Sequence, residues 1–200
     1  MTAKTRKKRG LHFYRKKIKI KKGIFGSILE YVFIVLICGF IAYAAVRFFG
    51  QKTVVVGNSM EPVLAHSEEV YLDKIIYSIS SPKRGDVIAF LPKGNEKTHC
   101  YIKRVIGLPK ETVQIISGKV YINGELLGEE YGVEEITDPG LAAGEFVLGD
   151  EEYFVLGDNR NSSEDSRSGN IGAVKREEIQ GRVWYRKKSE KHKGSIIKRG

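Results

Sequence analysis

The chain is poor in cysteine, with only Cys38 and Cys100 among its 200 residues. Cys38 lies in a long apolar run and Cys100 in the more polar remainder, so we expect no intramolecular disulfide. The sequence also lacks an HExxH motif, a CxxC motif and any carboxylate–histidine cluster at metal-ligand spacing. These absences argue against a disulfide-stapled module and against a metal-dependent enzyme, and we expect neither a metal nor a cofactor.

Histidine is scarce as well, with four in the chain. His12 lies in a basic N-terminal arm and His192 near the C-terminus, while His66 and His99 stand in no recognisable catalytic setting. A serine hydrolase that uses histidine as its base needs that histidine within hydrogen-bonding reach of the nucleophile. The sequence gives such a triad little support, and His66 and His99 are interpreted as ordinary, partly exposed side chains.

The net charge of +10 is located at the two ends of the chain. Residues 1–22 contain 11 Lys and Arg and no acid, and residues 186–200 carry a net charge of +6. Residues 23–185 contain 16 basic and 23 acidic side chains, a net charge of −7. Binding to nucleic acid needs a basic face on the folded domain, so this distribution argues against that class of partner. The 186–200 tail has no apolar periodicity and is predicted to be a basic, disordered extension.

A single long apolar run follows the basic arm, IFGSILEYVFIVLICGFIAYAAV at residues 24–46. At 1.5 Å per residue it spans about 34 Å, enough for a bilayer core of about 30 Å. A buried core helix is disfavoured because the run is apolar on all sides. A signal peptide cleaved at Ala42-Tyr43-Ala44 is disfavoured because the run is too long. We interpret it as a transmembrane helix, and the basic residues before it predict a cytoplasmic arm at 1–23 and an exterior domain at 47–185.

Short β patterns dominate the exterior domain, and helical periodicity is scarce. Strands are predicted at residues 53–56, 86–90, 98–106, 119–122 and 183–185. The acidic, turn-rich stretch at about 108–152 is interpreted as a small β insertion. The sequence therefore predicts a mostly β chain, in which an antiparallel sheet domain with a small insertion follows one N-terminal transmembrane helix.

The pentapeptide FVLGD occurs twice, at residues 146–150 and 154–158. Two short apolar segments that each end in a Gly-Asp turn signal predict a β-hairpin. Only the second copy continues into a polar stretch, NRNSSEDSR at residues 159–167, which is far more polar than a turn requires. A turn alone does not explain this stretch.

A serine and a lysine form a candidate catalytic pair. Ser59 follows an apolar strand at a turn marked by Gly57 and Asn58, and Lys103 lies in a predicted strand next to Ile102. On the local pattern alone, Lys103 is more simply a solvent-facing strand residue. If its amine faces apolar surroundings instead, desolvation lowers its pKa. A neutral lysine is able to take the proton of a serine hydroxyl as a general base.

Four ordered blocks, GNSMEPVL, RGDVIAF, YIKRVIGLP and GDNRNSSEDSR, resemble bacterial type I signal peptidases. The resemblance is closest to the single-anchor form of Gram-positive bacteria. It implies a membrane-anchored serine endopeptidase that removes signal peptides from exported preproteins. It also implies that Ser59 is the nucleophile and Lys103 the general base of a Ser-Lys dyad.

The resemblance further implies supporting roles for several polar residues. Ser163 would orient the amine of the lysine, Asp165 and Arg167 would form an ion pair behind the site, and Asp158 would pair with Arg104. The backbone N–H of the nucleophile would be one oxyanion-hole donor. The second donor stays open, because a glycine stands where relatives often carry a serine.

By the same resemblance, a signal peptide with small residues one and three positions before the cut would bind as an added β-strand. The residues implied to line its pockets are Val55, Met60, Leu64, Tyr101 and Ile102. The expected partners are signal peptides and membrane lipid, and we expect a monomer.

Two other functions remain open at this point. A self-cleaving Ser-Lys repressor-like protease shares the dyad, but that class is cytosolic and binds DNA, which the apolar run disfavours. A non-catalytic membrane-anchored binding module predicts that replacing Ser59 or Lys103 leaves function intact.

Overall fold

The computed structural model describes residues 22–49, 51–92, 100–131 and 134–199. Most of the predicted basic arm, with His12, lies outside the described residues, and so does His99 at the start of a predicted strand. The chain divides into two compact units, Met1–Ala42 and Tyr43–Gly200, and each is described by itself.

A long helix, α1 (Lys22–Phe49), contains the predicted transmembrane run. Within it, Phe25–Ala44 is long and apolar enough to cross a membrane. Large apolar side chains such as Phe33, Val35 and Phe40 are exposed on this helix. A helix with exposed apolar side chains around its surface suits a hydrocarbon environment better than water.

The second unit is built from short strands, with one short helix. The helix is α2 (Ile76–Ile79), and the strands are β1 (Gln51–Val54), β2 (Glu69–Asp73), β3 (Val87–Phe90), β4 (Tyr101–Gly107), β5 (Thr112–Ile116), β6 (Lys119–Ile122), β7 (Glu125–Leu126), β8 (Phe146–Val147), β9 (Glu152–Leu156), β10 (Val174–Lys175), β11 (Ile179–Arg186) and β12 (Ser195–Ile196).

The larger sheet has the strand order β1-β2-β11-β3-β4-β9-β10 in the described chain, and β12 pairs with β11 at the side. Every pairing in it is antiparallel. Strand β4 lies between β3 and β9, so that Lys103 faces Ile88 across one ladder and Arg104 faces Leu156 across the other. The predicted fold class, mostly antiparallel β behind one N-terminal apolar helix, is confirmed.

A smaller sheet with the order β7-β6-β5-β8 lies within the stretch that the sequence marks as an insertion. The two sheets share an apolar core that contains Ile106, Val113 and Phe154, all fully buried. The sheets pack tightly at Gly107, because a β-carbon there would lie 2.6 Å from Val113 Cγ2 and 2.7 Å from Leu148 Cδ1. A side chain at this position would push the sheets apart.

The predicted hairpin between the two FVLGD copies is not formed. Strand β8 pairs with β5 in the smaller sheet, whereas β9 pairs with β4 and β10 in the larger one. The copies meet through their side chains instead, since the rings of Phe146 and Phe154 pack edge to face with centroids 5.3 Å apart. The repeat therefore reflects two strands that contribute to one core from different sheets.

The C-terminal tail, predicted to be a disordered extension, makes contacts with the domain at several of residues 186–199. Strand β12 pairs with β11, and Ile197 packs against a buried apolar cluster. Arg199 forms an ion pair with the buried carboxylate of Asp86, and Lys191 lies 3.4 Å from Glu61. The tail looks solvated in the sequence because these acidic partners lie more than a hundred residues away along the chain.

Candidate active site

The turn that carries Ser59 follows β1 and begins at a glycine. Gly57 has a φ of +84°, in the left-handed region that glycine adopts at little cost. Its N–H donates a hydrogen bond to Nδ1 of His66, 3.0 Å away, which ties the turn to the end of the same loop. Ser59, two residues later, is half-buried.

Ser59 and Lys103 are in direct contact, although 44 residues separate them along the chain. The Nζ atom of Lys103 lies 2.5 Å from Oγ of Ser59, within hydrogen-bonding distance. Lys103 is only 3% exposed, and its strand β4 lies between β3 and β9 in the sheet. The solvent-facing interpretation of this lysine is therefore wrong, and the structure brings the two candidate residues together.

Burial lowers the pKa of Lys103 from 10.5 to about 8. Desolvation is the main cause, because it penalises the charged ammonium, and the negative charges of Asp165 and Glu164 partly oppose it. With this pKa, roughly a tenth of the amine is neutral near pH 7 and about half near pH 8. A basic, uncharged amine is thus present next to the serine hydroxyl under ordinary conditions.

A groove of about 340 Å³ opens beside the pair. Tyr101 and Ile102 line it, as the resemblance implies for substrate-binding residues, and Val56 and Cys100 line it as well. Val55, Met60 and Leu64 are 2%, 0% and 0% exposed and pack in the core beneath the turn, so their place in the substrate pockets stays a prediction.

The difference between Val55 and Val56 has a local cause. Strand β1 ends at Val54, and Val56 is 54% exposed while Val55 points into the core. Val56 thus lines the groove, while Val55 packs beneath it.

The predicted partner of Arg104 is in place. Its Nε and Nη2 atoms donate to the two carboxylate oxygens of Asp158, both at 2.7 Å, and both side chains are buried. The same guanidinium donates to the carbonyl of Gly85 and lies 3.9 Å from the ring centroid of Tyr131. A paired, planar contact of this kind fixes orientation as well as distance, so the 158–167 loop is held firmly against β4.

Asp165 and Arg167 form a second buried pair within that loop. The Nε and Nη2 atoms of Arg167 lie 2.8 and 2.9 Å from the carboxylate oxygens. Asp165 also accepts the N–H of Gly157, 3.1 Å away, at the end of β9. The loop is therefore closed onto the strand that delivers it.

Ser163 lies beside this network, but its predicted hydrogen bond to Lys103 is not formed in the structure. Its hydroxyl oxygen is buried and has no hydrogen-bond partner among the residues that the structure describes. Its role in orienting the lysine stays a prediction.

The loop also touches the nucleophile turn through its backbone. The N–H of Asn159 donates to the carbonyl of Ser59 at 3.1 Å. Gly157 permits this approach, because a β-carbon there would collide with that carbonyl oxygen and with the side chain of Ser163. The polar stretch after the second FVLGD copy thus fixes both the serine turn and the surroundings of the lysine.

Sequence reasoning missed two features of this site. Arg160 is 1% exposed and forms a forked pair with Glu129, with contacts of 2.9 and 2.5 Å. Its place inside the polar stretch was a signal, but nothing in the sequence identifies its partner in the insertion. His66, interpreted as an ordinary side chain, accepts the N–H of Gly57 and so belongs to the serine turn.

Comparisons with known proteins agree on one family. A family model for signal peptidase, peptidase S26, matches residues 28–186. The chain is 36% identical to a probable signal peptidase I-2 of Synechocystis sp. over 143 residues, which are 70% of this chain and 63% of that protein. It is 36% identical to signal peptidase I P of Bacillus subtilis subsp. natto over 162 residues, 78% of this chain and 86% of that protein.

A crystal structure of a signal peptidase I from Enterococcus faecalis V583 is 36% identical and covers 52% of this chain and 98% of that one. The TM-score between the two structures is 0.44.

Proposed function

The chain belongs to the signal peptidase family, peptidase S26, and we propose which of its residues carry out the removal of signal peptides from preproteins. The nucleophile is Ser59 and the general base is Lys103. The observation that supports this assignment is the 2.5 Å contact between the serine hydroxyl and a buried amine with a lowered pKa.

The reaction begins when the neutral amine of Lys103 takes the hydroxyl proton of Ser59. The serine oxygen attacks the carbonyl carbon of the scissile peptide bond, and the backbone N–H of Ser59 stabilises the oxyanion that forms. The ammonium then gives its proton to the leaving amine, so that the mature protein departs and an acyl-enzyme ester remains. Water, deprotonated by the same lysine, hydrolyses the ester and releases the signal peptide.

The polar loop acts as the support of this pair in our proposal. The ion pair of Asp158 with Arg104 holds the loop against β4, and the pair of Asp165 with Arg167 braces the loop internally. Burial removes water from the Lys103 ammonium, which favours the neutral amine. We propose that the rigid loop keeps water away from this amine. We therefore assign positioning roles, not catalytic ones, to these four residues.

Substrate enters the groove next to Tyr101 and Ile102 in this proposal. An extended peptide that adds beside a strand places alternate side chains on one face, so residues one and three positions before the cut share an environment. Apolar walls such as Val56 and Ile102 suit small, uncharged side chains at those two positions.

The long apolar helix and the family together fit a membrane-anchored protein. We propose that its N-terminus is cytoplasmic and its sheet domain lies outside the membrane, because basic residues crowd the N-terminal side of the helix. Membrane lipid is then a constant neighbour of the enzyme, and one copy carries a complete dyad, so a monomer suffices.

Incubation of the full-length protein in non-ionic detergent with a preprotein whose signal ends in Ala-x-Ala tests the proposal. Sequencing of the new N-terminus should locate the cut directly after the second alanine. Ser59→Ala and Lys103→Ala should each lower the rate roughly a thousandfold or more, while the fluorescence of Trp184 stays native. Cleavage that survives both substitutions would contradict the assignment, and absence of cleavage by the unaltered protein would favour a binding module.

A further inference from the structure

The groove beside the dyad carries a second charged side chain that the reaction does not use. Among the described residues that line this groove, Lys103 and Glu164 are the charged ones. The amine is buried in the wall, whereas the carboxylate is exposed. Asn170 donates a hydrogen bond to Glu164 from 3.1 Å, which restrains the carboxylate within the loop.

We propose that Glu164 is a specificity-determining residue, which favours basic and disfavours acidic substrate side chains next to the scissile bond. The inference rests on the proposed function, because it takes this groove as the substrate site. It concerns the second residue before the cut and the first residue after it, whose side chains are not restricted to small ones by the apolar pockets.

The position of Glu164 in the groove accounts for an electrostatic effect on these two substrate residues. In an extended peptide the second residue before the cut projects away from the pockets that its neighbours enter. The first residue after the cut belongs to the leaving group, whose nitrogen must receive a proton from Lys103. The field of Glu164 already acts at that amine, where it favours the protonated form. A charged substrate side chain held beside the Lys103 amine therefore also experiences the electrostatic field of Glu164.

The expected effect is modest, because the carboxylate is exposed and water screens it. Two unit charges several ångströms apart near the surface change a rate constant by a few-fold, and a Lys-to-Glu comparison includes one attraction and one repulsion. We expect kcat/KM for a Lys substrate to exceed that for a Glu substrate roughly threefold to tenfold at low salt, and the ratio to shrink at high salt.

The test uses one preprotein in six versions, with Lys, Gln or Glu at the first position after the cut or at the second position before it. Full-length wild type and Glu164→Gln are compared in non-ionic detergent at low and high salt. Glu164→Gln should bring the Lys-to-Glu ratio of kcat/KM close to one. Glu145→Gln removes the same charge from an exposed position that does not line the groove, and it should keep the wild-type ratio.

The ratio isolates the substrate contact, because any change in the pKa of Lys103 acts on all versions alike. A preference at either position that Glu164→Gln removes and Glu145→Gln keeps supports the proposal. If wild type cleaves efficiently but the Lys-to-Glu ratio of kcat/KM at both positions is the same in wild type and Glu164→Gln, the role of Glu164 is overturned. The proposed function stands in that case. Failure of wild type to cut even the Gln versions contradicts the proposed function, and the inference with it.

Discussion

Replacing Lys103 with methionine should make the folded protein more stable near neutral pH, although it removes the general base. In the unfolded chain the amine is solvated and has a pKa of 10.5, whereas burial lowers that pKa to about 8 in the fold. Each pKa unit corresponds to about 1.4 kcal/mol, so the buried ammonium costs the wild type about 3 kcal/mol at pH 7. Methionine has a similar length and no charge, so it avoids this cost.

The pH dependence of the difference gives the sharper test. Between about pH 8 and pH 10.5 the unfolded chain binds a proton that the folded chain has lost, so wild-type stability rises with pH across this window. Below it the penalty is fully present, and above it the penalty is gone. The advantage of Lys103→Met should therefore shrink by about 2.5 kcal/mol between pH 7 and pH 10.

Urea unfolding of the full-length proteins in non-ionic detergent measures this difference, with Trp184, the single tryptophan, as the fluorescent reporter. Lys119→Met, at an exposed strand position, removes the same charge and should give a small difference that does not change with pH. If Lys103→Met has no higher free energy of unfolding than wild type at neutral pH, the claim that a buried ammonium destabilises the fold is refuted. A difference that stays constant up to about pH 10 would refute it as well.

Two further substitutions test how the loop supports the site. Gly157→Ala places a methyl group against the Ser59 carbonyl and the loop. It should lower kcat at least tenfold and reduce the free energy of unfolding by about 1–3 kcal/mol. An unchanged kcat in a preprotein cleavage assay would contradict the close approach of Gly157 to the Ser59 carbonyl. Asp158→Ala leaves the Arg104 guanidinium buried without its carboxylate and should destabilise the fold by about 3–5 kcal/mol in urea unfolding. A loss below about 1 kcal/mol would show that the pair is solvated.

Strand alternation and turn residues were enough to predict the class of the fold. They identify β3, β6 and the end of β11, because each is a short apolar run between turn signals. They do not identify which strands pair, so the two FVLGD copies look like a hairpin although phenylalanine packing between the sheets joins them. The contacts of the C-terminal tail with the domain could not be predicted for a similar reason, since the carboxylates that pair with Arg199 and Lys191 are distant in sequence.

The candidate site shows the same limit. Ser59 and Lys103 stand out by position, but the lysine is buried only in the folded domain, where distant segments such as the 158–167 loop pack around β4. A strand pattern alone favours an exposed lysine. The exposure of Val56 at the groove likewise depends on where β1 ends, which alternation does not reveal.

Titration of the Lys103 amine in the full-length protein measures the central feature of this account directly. The ¹³Cε and ¹⁵Nζ chemical shifts of labelled lysine, assigned to this position by their loss in Lys103→Met, report its protonation in non-ionic detergent. We predict a transition with a midpoint near pH 8. A midpoint above about 10, the range of a solvated lysine, would contradict it.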